Sequence, residues 1–236
     1  MSMKKTRFIT FAAMLLVSVQ LCFAQKFQPT VTWPYLYRDF QNGVIKMAGG
    51  IEQTSAAVNI TLDGKIHYIN EKDQKVMEAD IARVFTARLG NDVYVNVAGK
   101  MMKLLAVGDD ENSVLVCETA VNADEMNKSD IGYGISSATA STMNVNSLLS
   151  AGSTLVDMPL NSIMEARDTG EKVPVKQTTY FRIGINVIPA TKSAVMGSSL
   201  VDKDAAKAFF KSNKIKWNDT KSLTGVLNFL SDQINK

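Results

Sequence analysis

From Trp33 to about Val121, apolar and polar residues alternate in short runs, each broken by Gly, Asn or Asp. A period of two puts one side of a strand against a core and the other toward water, so the pattern predicts strands. The breaks Asn42-Gly43, Gly49-Gly50, Asp63-Gly64, Gly90-Asn91, Gly99-Lys100 and Gly108-Asp109-Asp110 read as reversals. Gly and Asn tolerate the positive φ that tight hairpin turns demand. The clearest is Asp63-Gly64, with Val58, Ile60 and Leu62 alternating before it and Ile66 and Tyr68 after it. The same logic pairs Val93, Val95 and Val97 with Met101 to Val107 across Gly99-Lys100. Short links force antiparallel neighbours, since parallel pairs need long crossovers. Asp80 to Leu89 is ambiguous: Ile81, Val84 and Phe85 favour a strand, while Ala82, Ala87 and two Arg suit a helix.

From Thr178 the alternation resumes, with Phe181, Ile183, Ile185 and Val187 on one side of a half-buried strand that Pro189 ends. After it the period lengthens. Asp202 or Asp204 is placed to cap a helix whose stripe is Ala206, Phe209 and Phe210, with Asn213 at its end. Asn218 or Asp219 starts a second helix with Leu223, Val226, Leu227, Leu230 and Ile234 at steps of three and four. Two short helices this close in sequence are expected to pack as a hairpin on the sheet or on its open end. The fold class expected is therefore α+β: a predominantly antiparallel β meander, as a curved sheet or partly open barrel or sandwich, with a C-terminal helix pair. Residues 25–200 form the β-rich domain and 201–236 the helical hairpin packed on it.

The N-terminus follows other rules. Lys4, Lys5 and Arg7 precede an apolar run from Phe8 to about Val19, and Cys22-Phe23-Ala24 precedes Gln25. A basic start, an apolar middle and small residues before a cleavage point make a secretory signal peptide over residues 1–24. The run is about 12 residues, short of the roughly 20 needed to span a bilayer. Leu21 stands where a lipoprotein would carry a small residue before Cys22, so acylation is disfavoured. Cleavage after Ala24 leaves 23 basic against 23 acidic residues and no transmembrane helix in the mature chain. An electrically balanced body loses the main argument for nucleic acid as a partner. It also leaves Cys117 alone, inside the apolar run Val114 to Cys117, where a thiol reads as buried and inert.

Few residues offer chemistry. His67 is the sole histidine, and any Ser-His-Asp or Cys-His mechanism would have to use it. In a Lys-rich hairpin it reads as a surface residue. Zinc would have to rely on carboxylates, and Asp109-Asp110-Glu111-Asn112 lacks the Gly and Glu of a calcium loop, so it reads as a solvated turn. Gly132-Tyr133-Gly134 fails the dinucleotide pattern. No catalytic, cofactor-binding or metal-binding residue is assigned. Glu52, Asp63, Asp80, Glu118, Asp157 and Glu165 are the carboxylates from which a glycosidase pair would be drawn. The basic cluster Lys203, Lys207, Lys211, Lys214, Lys216 and Lys221 reads as a solvated helix surface. Trp33-Pro34-Tyr35-Leu36-Tyr37 reads as a first strand with its rings in the core. Residues 131–156 carry no charged side chain but six Ser, three Thr and three Gly. They read as a long connection and are the first candidate for recognition of an envelope protein or polymer.

Tyr35 to Val44, the strand Val58-Asn59-Ile60, Gly132-Tyr133-Gly134, Tyr180-Phe181, Ile188 to Lys192 and Phe210 to Ile215 together resemble small exported proteins of Bacteroidota-type bacteria. The resemblance implies a β-rich exported domain with a helical end and supplies no mechanism. The function expected is a non-enzymatic binding or structural module of the cell envelope, in the periplasm, on the cell surface or secreted. The alternative is an extracytoplasmic hydrolase that uses two carboxylates on a carbohydrate.

Overall fold

The computed structural model describes residues 34–122, 155–169 and 174–234. Residues 1–24, where a signal peptide is expected, Trp33, Gly132-Tyr133-Gly134 and nearly all of the uncharged 131–156 stretch lie outside the described residues. Ten strands make one antiparallel sheet: β1 (Gln41–Met47), β2 (Ile51–Ile60), β3 (Ile66–Ile69), β4 (Val76–Glu78), β5 (Val84–Leu89), β6 (Asp92–Val97), β7 (Lys100–Val107), β8 (Ser113–Val121), β9 (Val175–Ile183) and β10 (Asn186–Pro189). With α1 (Leu160–Thr169), α2 (Lys192–Gly197), α3 (Lys203–Ser212) and α4 (Thr220–Ile234), this is an α+β protein dominated by antiparallel sheet. The spatial order is β10-β9-β8-β7-β6-β5-β1-β2-β3-β4, so the sheet is not closed. It is also not one continuous meander: after β4 the chain crosses back through Ala79–Arg83 to pair β5 with the free side of β1. The ambiguous Asp80–Leu89 segment divides into a turn and the strand β5.

The sheet curls. The N–H of Met101 at the start of β7 donates to the carbonyl of Gly64 in the β2–β3 turn at 2.9 Å, with β1, β5 and β6 lying between those strands. Leu62 of the same turn packs with Val121 of β8 and Val175 of β9. Inside the curl Ile45, Val58, Ile60, Ile66, Ala87 and Leu89 form a core. The opposite face of β2–β4 is buried too, by Tyr35, Phe40 and Ile163 of α1, while Asp157–Leu160 pairs along the outer edge of β4. The aromatic arm makes a single bridge, Tyr35 to Thr61, in place of a full strand.

Three details of the turns depart from expectation. The β2–β3 link is a three-residue loop, Leu62-Asp63-Gly64, closed by Thr61 and Lys65, with Gly64 at φ +85°. The β6–β7 turn is Ala98-Gly99, both at positive φ. Ile185 does not sit mid-strand: Gly184 at φ +57° starts a hairpin turn, Ile183 pairs with Asn186, and Ile185 is 96% exposed. The absence of a Cβ at Gly184 makes that reversal cheap, and the alternation across it is accidental.

Asp202 caps α3, its carboxylate accepting from the N–H groups of Asp204 and Ala205, and Asn213 ends the helix. Asp219 accepts from the N–H of Ser222 and begins α4. Leu223, Val226, Leu227 and Leu230 of α4 pack with Leu115, Phe181 and Ile183 of β8 and β9. Phe209 of α3 stacks on Phe229 of α4, with ring centroids 4.3 Å apart.

Candidate functional site

Asn42-Gly43 is not a reversal. It lies inside β1, where the β1–β2 register slips so that Asn42 faces both Ala56 and Ala57. Such a bulge leaves backbone groups outside the ladder and bends the strand. Ser55 repairs part of the loss: its hydroxyl donates to the carbonyl of Ala57 and accepts from the Ala57 N–H. Gly43 is required by close approach, since a Cβ there would meet Val58 Cγ2 at 2.9 Å and the Arg88 carbonyl oxygen at 3.1 Å. A lone Gly within an alternating strand pattern is the signal that could have found this position, which by turn chemistry alone reads as a reversal.

The bulge opens a groove of about 480 Å³ across β1, β2 and the end of β5. Small residues, Gly43, Ser55, Ala56 and Gly90, leave the space, and Arg88 and Glu71 line it. Both charged residues are exposed. Among the described residues neither charged head makes a hydrogen bond or ion pair. Arg88 acts on Glu52 only at a distance, while Glu52 has its own partner in Lys46 at 2.8 Å.

The residues with catalytic potential sit elsewhere and are engaged. His67 is fully buried, which corrects the surface reading: the Tyr35 arm and α1 cover the face of β3 that alternation assigned to water. Its Nδ1 is 2.8 Å from the Tyr35 hydroxyl and its Nε2 3.4 Å from Glu78, which also meets Lys65 at 3.2 Å. Burial pushes the imidazole below its ordinary range, against the pull of Glu78. Cys117 is buried on β8, and burial pushes its thiol up. A raised thiol holds little thiolate at neutral pH and is a poor nucleophile.

A second polar cluster joins Tyr37, Asp92, Tyr94 and Lys103. Tyr37 donates to Asp92 at 2.6 Å and meets the Tyr94 hydroxyl at 2.7 Å, and Lys103 reaches Asp92 at 2.7 Å. Burial raises the Asp92 carboxyl, but Lys103 and Tyr37 together hold it below the usual carboxylate range. Burial pushes Tyr94 up to about 12. This cluster fastens the N-terminal arm to β6 and β7.

The six candidate carboxylates fall on separate elements. Glu52 is on β2, Asp63 in the β2–β3 turn with Thr61, Asp80 in the β4–β5 link, Glu118 on β8 with Lys100 and Tyr180, Asp157 before α1 and Glu165 on α1. The Asp109–Asn112 turn docks a helix: the Asn228 amide donates to Asp109 at 2.6 Å and accepts from its N–H at 3.1 Å. Of the lysine cluster, Lys207 pairs with Asp204 within α3.

The chain matches no protein-family model, no curated protein and no solved structure.

Proposed function

We propose that this chain is an exported, non-enzymatic binding module of the cell envelope, and that the groove across β1, β2 and β5 is its ligand site. The observation that carries the reading is the groove itself: a bulge-made recess in which Arg88 and Glu71 present charges that no other described residue engages. Charged groups so placed are free to pair with a ligand, and the recess is of the size that small-molecule sites take. The state of the reactive groups supports binding over catalysis, since the imidazole is buried and turned to Tyr35 and Glu78 and the thiol is buried and raised. Export is supported by the basic, apolar and small-residue order of positions 1–24.

The test is capture from envelope extract by the protein purified without residues 1–24, with Ala56→Leu, an exposed lining residue enlarged, as the altered-groove control. The expected result is a specific ligand or partner retained by the native protein and lost from the control. Failure to retain anything from protein, glycan and small-molecule fractions overturns the binding reading. Sequencing the natural product checks export separately: the expected first residue is Gln25, and a product that begins at Met1 overturns it.

A further inference from the structure

We infer that the groove takes a small zwitterionic ligand of amino-acid or short-peptide type, its carboxylate on Arg88 and its ammonium on Glu71; this rests on the reading of the groove as the ligand site. A guanidinium presents a planar fork that meets a carboxylate with two parallel hydrogen bonds, which makes it the natural end point for a carboxylate ligand. Arg88 is exposed in the groove with that fork unengaged among the described residues. A polyanion would bring its further charges toward Glu71 in the same recess, and like charges repel. A ligand that carries an ammonium beside its carboxylate turns that repulsion into attraction. The groove then remains neutral overall when filled.

The space between the charges suits the same class. Gly43, Ser55, Ala56 and Gly90 have little or no side chain, so a ligand lies close to the backbone of β1 and β2. The register slip at Asn42 interrupts the ladder beneath it, and Ser55 already spends its hydroxyl on Ala57. Recognition therefore falls on the two charged heads and on the polar side chains of Asn42 and Thr54, with the strand backbone as floor. A volume of about 480 Å³ accommodates a dipeptide.

The experiment is an amide-shift titration of the protein without residues 1–24 by nuclear magnetic resonance. The probes are alanyl-alanine, its N-acetylated form, its C-amidated form and glucuronic acid. Alanyl-alanine is expected to shift Gly43, Ser55, Ala56 and Gly90 saturably. Loss of one charge-assisted contact is expected to weaken binding about tenfold or more. Acetylation, amidation, Arg88→Gln and Glu71→Gln should each have that effect. The two variants change exposed residues, and a native amide spectrum away from the groove confirms that each is folded. Glucuronic acid that binds as tightly as the dipeptide, or dipeptide binding untouched by Arg88→Gln, overturns the zwitterion assignment while the groove stands as a site. If envelope extract and all four probes leave the four groove amides unmoved, the groove is not the ligand site and both readings fall.

Discussion

The Tyr35 hydroxyl and the Nδ1 of His67 lie 2.8 Å apart, and both residues are buried. Tyr35 belongs to the arm before β1, while His67 sits between Asn59 of β2 and Glu78 of β4 in the sheet register. One contact thus holds the arm against three strands. Burial alone would expel a charged imidazole, so the pair is stable as a neutral ring beside a neutral phenol.

A pH dependence follows from that pair. His67 is held below its ordinary value, so between about pH 6.5 and its folded value the unfolded chain binds a proton that the folded chain does not. Stability is therefore expected to fall as pH drops through that window. Glu78 and Asp63 oppose the shift and Lys65 adds to it. His67 is the only histidine, so its ring resonance is unique. Its titration midpoint in the folded protein should lie below that of the same resonance in urea. A higher folded midpoint would contradict the buried, neutral ring.

Gly43→Ala should destabilise the protein by about 1–3 kcal/mol, as overpacking does. The new Cβ meets Val58 at 2.9 Å and the Arg88 carbonyl at 3.1 Å, and a carbonyl on a paired strand has little room to give. Urea denaturation measures the loss. An unchanged midpoint would show that β1 shifts freely at the bulge, and the groove would then lack a fixed shape.

Cys117 should react slowly with a disulfide reagent at neutral pH in the folded state. Burial raises its thiol and bars access, and both restraints vanish on unfolding. The rate should rise steeply through the urea transition measured by circular dichroism. Rapid reaction in the absence of denaturant would place the thiol at the surface.

The clip between α4 and the β7–β8 turn gives a graded series. Asn228→Ala removes a donor and an acceptor from Asp109 and should cost about 1 kcal/mol. Asn228→Asp also sets a carboxylate against Asp109, so it should cost more at low salt, and the difference should shrink as salt rises. Leu230→Ala, in the fully buried seam beneath, should cost about 2–5 kcal/mol. Equal denaturation midpoints for the two Asn228 variants at all salt concentrations would remove Asp109 from the interaction.

What could be read without coordinates was local. Alternation and turn residues mark β2–β3 and β6–β7, because a hairpin's partners lie within a few residues of each other. Helix caps are local in the same way, and Asp202, Asn213 and Asp219 stand where side-chain chemistry requires them. The groove was not read from the sequence, in which Asn42-Gly43 passes for a reversal. Gly43 carried the signal of a close approach, but what it approaches, Val58 and the backbone of Arg88, belongs to strands reached through later turns.

The amino-acid order by itself determined the strand class, the antiparallel neighbours across the β2–β3 and β6–β7 turns, the limits of α3 and the start of α4, since these depend on side-chain period and on backbone freedom at single residues. It did not foresee α1 and α2. Only the tertiary structure decided that β5 returns to the free side of β1, that His67 is interior, and that Arg88 and Glu71 share a recess. Those outcomes rest on which surfaces meet after the sheet curls. A two-residue period reports that a strand has two faces, but it carries no information about what comes to cover the second one.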